Sequence, residues 1–173
     1  MVELIPLLRK HFDPLEVRFG SFLRHAVNLE GWFKGELLVA LDTLSATGAV
    51  AAFDREVRML NSRVDLCVEA NGRKHWVELK YWLNGNQRGL NYTPAFYFGD
   101  PTEVGITKDV AKLRALDAGD QRWLLILVVS NPGTGAWTAG LAKHNSKFKS
   151  NLAMHSNPAD FPPSYFLGLL EVE

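Results

Sequence analysis

The sequence predicts an α/β fold with a mixed central sheet, and three observations indicate it. Three segments with strand character follow an amphipathic helix, a second helix comes next, and a continuous apolar run follows that helix. Sequence-adjacent strands pair antiparallel through hairpins, whereas a strand reached through a helical crossover lies parallel to its neighbour. A run that is apolar throughout suits a central strand covered on both faces. We therefore expect a three-layer α/β/α arrangement.

Length and composition indicate one globular domain spanning residues 1–173. The chain is 47% hydrophobic and 22% charged, which excludes disordered and fibrous classes. Its 19 basic and 19 acidic residues give a formal net charge of zero. Proteins that coat nucleic acid without specificity usually carry an excess of basic residues, so the zero net charge disfavours that class. It does not exclude an enzyme with one local basic groove.

The sequence also indicates a cellular setting. Cys67 is the only cysteine, which excludes an intramolecular disulfide and a four-cysteine zinc site. Charged residues and Pro6 interrupt the N-terminal stretch, so it does not resemble a signal peptide. The most apolar run, 123–129, is too short to span a bilayer. We expect a cytoplasmic protein without a membrane partner.

Hydrophobic periodicity predicts the elements in order. Apolar residues at helical spacing define the main helix, and Thr107 is expected to cap the next one. Period-two alternation defines two of the strands, while the first alternates irregularly. The segment 84–106 is rich in Gly, Asn and Pro and is predicted to be a long loop, and 141–151 is polar, basic and ambiguous. The predicted helices are 2–10, 32–44 and 107–118, and the predicted strands are 53–60, 63–69, 74–82, 123–129 and 165–170.

One hairpin can be assigned a register. Asn71-Gly72 is a strong signal for a two-residue turn, which pairs Ala70 with Arg73 and then Asp65 with Glu78. Directly opposed residues have Cβ atoms roughly 4.5–5.5 Å apart, so the two carboxylates are expected to be neighbours on one face. Lys80 lies two residues beyond Glu78 and projects from the same face.

Two opposed carboxylates repel each other unless one is protonated or a cation lies between them. Mg²⁺ binds through one or two protein carboxylates and leaves other positions for water and phosphate oxygens. A lysine beside such a site can hold or deprotonate a water, or neutralise charge on a phosphoryl transition state. Asp65, Glu78 and Lys80 therefore favour metal-assisted phosphodiester hydrolysis.

These residues resemble a known signature. Asp65 followed by Glu78-Leu79-Lys80 is similar to the acidic-x(n)-Glu-x-Lys pattern of the PD-(D/E)xK nuclease superfamily. The element order over about 32 to 130 also resembles that family's helix, three-strand meander, helix and strand. One departure is Val64, where the family usually has proline.

The resemblance implies a restriction endonuclease-like αβββαβ core and a set of roles. Asp65, Glu78 and the backbone carbonyl of Leu79 are implied to bind Mg²⁺ or Mn²⁺, and Lys80 to assist the attacking water. Many members carry a further acid on the preceding helix. Glu36 is the best match for it, and Glu56 on the first strand is a rival.

Candidate nucleic-acid contacts lie outside the hairpin. Lys108 and Lys112 lie one helical turn apart after Thr107, Arg88 lies in the predicted loop, and Lys147 lies in the basic segment 141–151. An ordinary solvated face explains such lysines about equally well. The aromatic residues of 84–106 are expected to select the substrate by stacking on unpaired bases, or else to cover the core.

The sequence thus predicts an Mg²⁺- or Mn²⁺-dependent endo- or exonuclease, with DNA favoured over RNA as its partner. A non-catalytic module of the same fold, binding nucleic acid or protein, is the alternative. A retaining glycoside hydrolase also uses carboxylates about 5 Å apart, but Lys80 would hold its general acid ionised. Strandedness, sequence specificity and oligomeric state stay open, and a homodimer is compatible with the sequence.

Overall fold

A computed structural model describes residues 1–59, 63–87, 89–101, 104–116 and 120–173. In these residues six strands form one mixed sheet and two short strands form a separate hairpin. The strands are Ala52–Arg58 (β1), Arg63–Ala70 (β2), Arg73–Leu83 (β3), Gly85–Gln87 (β4), Leu90–Tyr92 (β5), Gln121–Val129 (β6), Ala153–Met154 (β7) and Tyr165–Glu171 (β8). The α-helices are Ile5–Phe12 (α1), Phe19–His25 (α2), Glu30–Ala46 (α3), Pro94–Gly99 (α4), Thr107–Arg114 (α5) and Gly133–Phe148 (α6). The 3₁₀ helices are Val2–Leu4, Asp13–Arg18 and Pro158–Asp160.

The strand order in the sheet is β1-β2-β3-β6-β8-β7. The first three strands form an antiparallel meander, β6 lies parallel to β3 after the α5 connection, and β8 returns antiparallel to β6. Residues 123–129 of β6 are buried without exception, as expected for a central strand. The predicted α/β class with a mixed central sheet is confirmed.

Helices lie against both faces of this sheet. On one face Trp82 of β3 and Phe166 of β8 pack against Trp137 of α6, with ring centroids 5.6 and 4.7 Å apart. Tyr165 precedes Phe166 and therefore points to the opposite face. There its ring packs against Phe19 of α2 at 5.0 Å.

The predicted loop over 84–106 is wrong. The segment contains the β4–β5 hairpin and α4, because Pro94 occupies the first turn of a helix after the extended residue Thr93. Phe98 of α4 is buried and meets Trp137 edge-on at 5.2 Å. Glycine and proline thus mark tight turns and a helix start here, rather than an irregular loop.

Other boundaries differ from the predictions by smaller amounts. Thr107 is the first residue of α5 and not its N-cap, which is Ile106; the Thr107 hydroxyl donates to the carbonyl of Asp100 at 3.0 Å. The helix ends at Arg114, before the predicted 118, and 117–119 lie outside the described residues. The ambiguous 141–151 segment is mostly the C-terminal half of α6. No helix within the described part of the chain has the length and apolarity needed to cross a membrane.

Candidate active site

The β2–β3 turn adopts the predicted form. Asn71 and Gly72 have φ angles of 53° and 69°, and a type I′ turn requires both to be positive. The turn pairs Ala70 with Arg73, and the same register continues to the edge of the proposed site. The predicted register is therefore confirmed from Ala70–Arg73 as far as Leu66–Val77.

At Asp65 and Glu78 the two strands are joined through side chains. The backbone N–H of Asp65 donates to Oε1 of Glu78 at 3.3 Å, and the N–H of Leu79 donates to Oδ2 of Asp65 at 3.0 Å. On the other side of β2, Glu56 has a φ of 53° and lies between Arg55 and Val57, which pair with Leu66 and Val64. That left-handed conformation costs a non-glycine residue roughly 1–2 kcal/mol. Carboxylates thus replace regular strand pairing at this level of the sheet.

Three lysines from three elements hold the carboxylates of the site. Lys34 of α3 lies 2.9 Å from Oδ1 of Asp65. Lys112 of α5 lies 2.6 Å from Oε2 of Glu78, which is 2% exposed. Lys80 of β3 lies 2.8 Å from Oδ2 of Asp109. The predicted trio is therefore part of a larger network of alternating charges, which also includes two lysines of the flanking helices.

The two strand carboxyls have opposite pKa shifts. Burial raises the pKa of Glu78 to about 7, against the lowering effect of Lys112. Burial also acts on Asp65, but the Leu79 N–H and Lys34 outweigh it and hold the pKa of Asp65 below its ordinary value. Burial lowers the pKa of Lys34, but the hydrogen bond of Lys34 to Asp65 helps to outweigh burial and raise that pKa. Asp65 is the stable anion of the pair, and Glu78 gains its charge near neutral pH.

Glu36 is not brought together with these residues. Its carboxylate lies 3.0 Å from Nε2 of His11 and 3.4 Å from Nη1 of Arg18. Residues on a helix are separated by about 100°, so Glu36 lies about 200° around α3 from Lys34. Glu30, one turn before Lys34, lines the cleft instead.

Glu56, the rival fourth acid, is linked to the site through Lys34. Nζ of that lysine lies 3.3 Å from Oε1 of Glu56 as well as close to Asp65. Arg63 contributes a second cation to Glu56 at 2.7 Å. Glu56 therefore borders the site, whereas Glu36 does not.

The four candidate nucleic-acid contacts have different settings. Lys112 lies inside the site, and Lys108 is exposed on the first turn of the same helix. Lys147 donates to the carbonyl of Gly99 at 2.6 Å and so ties α6 to α4. Arg88 lies outside the described residues.

A cleft of about 530 Å³ contains the site. Its polar end is formed by the carboxylates of Asp65, Glu78 and Asp109 together with Lys80, and Glu30 lies at the same cleft. Its other end is lined by aromatic and aliphatic side chains from β3, β5 and α4. A volume of this size is within the range of about 300–1,000 Å³ seen for small-molecule sites.

The donor set determines which ion would fit. In the part of the chain that the structure describes, no group of three or more His, Cys, Asp and Glu side chains could hold a metal ion. Asp65 and Glu78 supply two adjoining carboxylates, and a magnesium-type ion needs only one or two. The residues present fit such an ion.

Comparisons with protein-family models, with curated proteins and with solved structures found no match for this chain.

Sequence reasoning missed three residues of the site, namely Lys34, Asp109 and Glu30. Each had a local signal, because Glu30 and Lys34 are four residues apart on one helix, and Asp109 and Lys112 are three apart on another. The spacing identifies pairs on a common helix face. It does not identify which face meets the hairpin.

Proposed function

We propose that this protein is a metal-dependent nuclease that hydrolyses phosphodiester bonds, with DNA as the favoured substrate. One observation carries the proposal. The carboxylates of Asp65 and Glu78 are each bonded to the backbone of the other's strand, and they face one cleft together with Lys80. Fixed carboxylates with adjoining cations suit phosphoryl chemistry, which depends on positioning and charge stabilisation.

The order of elements supports the same proposal. A helix (α3), an antiparallel meander (β1 to β3), a second helix (α5) and a strand parallel to β3 (β6) follow one another. This is the order expected of the restriction endonuclease-like core that the motif implies. Asp65 and Glu78 then lie on its second and third strands, as the signature requires.

The proposed roles follow from the contacts. Asp65 and Glu78 would hold Mg²⁺ or Mn²⁺, with the carbonyl of Leu79 as the ligand implied by the resemblance. Such an ion, when bound, polarises a phosphate and lowers the pKa of a bound water. Lys80, ion-paired with Asp109, orients the attacking water and stabilises the charge that develops on the phosphoryl oxygens. The attacking water gives up a proton to solvent as its oxygen bonds to phosphorus, the bond to the leaving ester oxygen breaks, and that oxygen takes up a proton from solvent.

The test is cleavage of plasmid, single-stranded and branched DNA with Mg²⁺, with Mn²⁺ and with EDTA. We expect cleavage only with metal, and a loss of about 100-fold or more in Asp65→Asn and Glu78→Gln. Glu69→Gln is a matched control, since Glu69 lies on β2 but pairs with Lys74 at 3.5 Å. Cleavage that is undiminished in Asp65→Asn, or absent on every substrate with either metal, contradicts the proposal.

A second function is favoured by a different observation. Asp65, Glu78 and Asp109 each have a lysine partner already, so these three carboxylates form a charge-balanced polar network. A non-catalytic module that binds nucleic acid or protein would need no metal ion at these carboxylates. A metal that binds only the folded state at 100 times its Kd raises stability by about 2.7 kcal/mol. If the protein is such a module, Mg²⁺ should not raise its stability, and the stabilities of wild type and Asp65→Asn should respond to Mg²⁺ alike.

A further inference from the structure

The cleft has a second end whose chemistry the carboxylates and lysines do not use. This aromatic end is lined by Tyr81, Leu83, Tyr92 and Tyr97. Residues Tyr81 and Leu83 follow Lys80 on β3, while Tyr92 and Tyr97 come from the β4–β5 hairpin and α4. One cavity therefore joins aromatic rings directly to the proposed phosphate site.

Two rings of the aromatic end, Tyr92 and Tyr97, stack on each other, and Tyr97 also stacks on Trp82. Trp82 and Tyr97 are parallel within 4°, with centroids 4.5 Å apart, and Tyr92 continues the stack at 5.9 Å and 22°. Trp82 and Tyr97 are buried, and the Tyr97 hydroxyl donates to the carbonyl of Leu83 at 3.2 Å. Phe96 meets Tyr92 edge-on at 5.2 Å. Tyr92, which is only half-buried, is the last ring of this pre-arranged stack.

On the basis of the proposed nuclease function, we propose that the aromatic end binds an unpaired nucleobase next to the scissile phosphate. The substrate class is then a nucleic acid with an unpaired strand, such as a single strand or a flap. A base inside a duplex is stacked between its own neighbours and presents only its edges to a protein. An unpaired base presents its face, and it stacks on tyrosine and other aromatic side chains.

The charge distribution supports an unpaired strand over a long duplex. Tight duplex binding neutralises many phosphates with lysine and arginine, whereas this chain has zero net charge. The three lysines nearest the carboxylates are all in ion pairs. The cleft of about 530 Å³ accommodates a ligand of small-molecule size rather than a length of double helix. Stacking supplies affinity that does not depend on extra positive charge.

The test compares cleavage of one sequence as a single strand, as a flap and as a blunt duplex, all with Mg²⁺. We expect the unpaired strands to be cut with a kcat/KM about 10-fold or more above that of the duplex. Tyr92→Leu should lose about 5- to 100-fold on unpaired strands, because an apolar side chain remains but the stacking face is gone. Tyr92→Phe should retain the preference. Phe22→Leu is the matched control, since Phe22 is a half-buried ring of α2 outside the cleft.

A substrate change identifies the base that is held. Removing the base beside the cleaved bond, as an abasic site, should lower cleavage by wild type as much as Tyr92→Leu does. The same change should have little further effect in Tyr92→Leu, since partners in one contact are not additive. Additive losses would show that Tyr92 and that base do not meet, and would overturn the inference.

A binding measurement separates this inference from the nuclease proposal. In EDTA, a single strand carrying 2-aminopurine should be quenched by wild type and by Tyr92→Phe, and not by Tyr92→Leu. Metal-dependent cleavage that is equal on duplex and single strand, or unchanged in Tyr92→Leu, overturns the inference and leaves the nuclease intact. Absence of cleavage with quenching retained contradicts the nuclease and supports the base site. Absence of both contradicts both.

Discussion

The buried carboxyl of Glu78 makes the stability of this protein depend on pH, and the substitution Glu78→Gln tests that dependence. Glu78 is 2% exposed, and burial raises its pKa to about 7 from the ordinary value of 4.5. Glutamine has nearly the same shape and does not ionise. Comparing the variant with wild type therefore isolates the contribution of one proton.

The sign and size follow from the two pKa values. Because the folded-state pKa lies above the unfolded value, the folded protein binds this proton more tightly. The stabilisation is fully present below pH 4.5 and is lost as the pH rises through 7. At about 1.4 kcal/mol per pKa unit, the loss amounts to about 3 kcal/mol in all. Relative to wild type, Glu78→Gln should thus gain about 2–3 kcal/mol of stability between about pH 5 and pH 8.

The assay is urea denaturation of both proteins at several pH values between 5 and 8 in EDTA. The difference in unfolding free energy between variant and wild type should rise with pH, whatever its absolute value at pH 5. Glu69→Gln, whose carboxylate pairs with Lys74 on the surface, should show a much smaller trend. Addition of Mg²⁺ at pH 8 should stabilise wild type and not Glu78→Gln. A difference that is flat or falls with pH would refute the burial argument.

Two further predictions concern Lys112 and the packing of α6. Lys112→Met removes the cation 2.6 Å from buried Glu78. Keeping Glu78 protonated one unit above its pKa of about 7 costs about 1.4 kcal/mol, so urea denaturation should show a loss of about 1–2 kcal/mol at pH 8 and less at pH 5. An equal loss at both pH values would point to packing alone. Gly140→Ala would put a Cβ 2.6 Å from Cδ2 of Phe98, which should cost about 1–3 kcal/mol by thermal unfolding. Gly135→Ala in the same helix meets nothing within 4 Å and should be neutral or stabilising, so a loss there as large as at Gly140 would contradict the clash.

The hairpin that holds the acids could be predicted because its determinants are local. Asn71 and Gly72 tolerate positive φ, and that requirement fixes the turn type and hence the register. Alternating apolar residues then assign a face to each side chain without any knowledge of the rest of the fold. The neighbourhood of Asp65 and Glu78 follows from these two facts alone.

The rest of the site depends on contacts between distant segments. The apolar stripe of α3 identifies its core face, but Lys34 and Glu36 both border that stripe. Only the way α3 lies on the sheet decides that Lys34 meets Asp65 while Glu36 meets His11. The α4 helix was missed for a related reason. It has six residues, too few for a periodic signal, and its place depends on Phe98 packing against α6.

In the proposed nuclease, the lysine network would link metal binding to substrate binding. Burying Glu78 beside Asp65 would be unfavourable without nearby positive charge, and Lys34 and Lys112 supply it. A divalent cation held by the two carboxylates would compete with both lysines for the same oxygens. Lysines released in this way would need a new anion, and the phosphates of a nucleic acid in the cleft provide it. Charge pairing is then best satisfied when ion and phosphate are bound together. Linkage makes the effect reciprocal, so each ligand should increase the affinity of the proposed nuclease for the other.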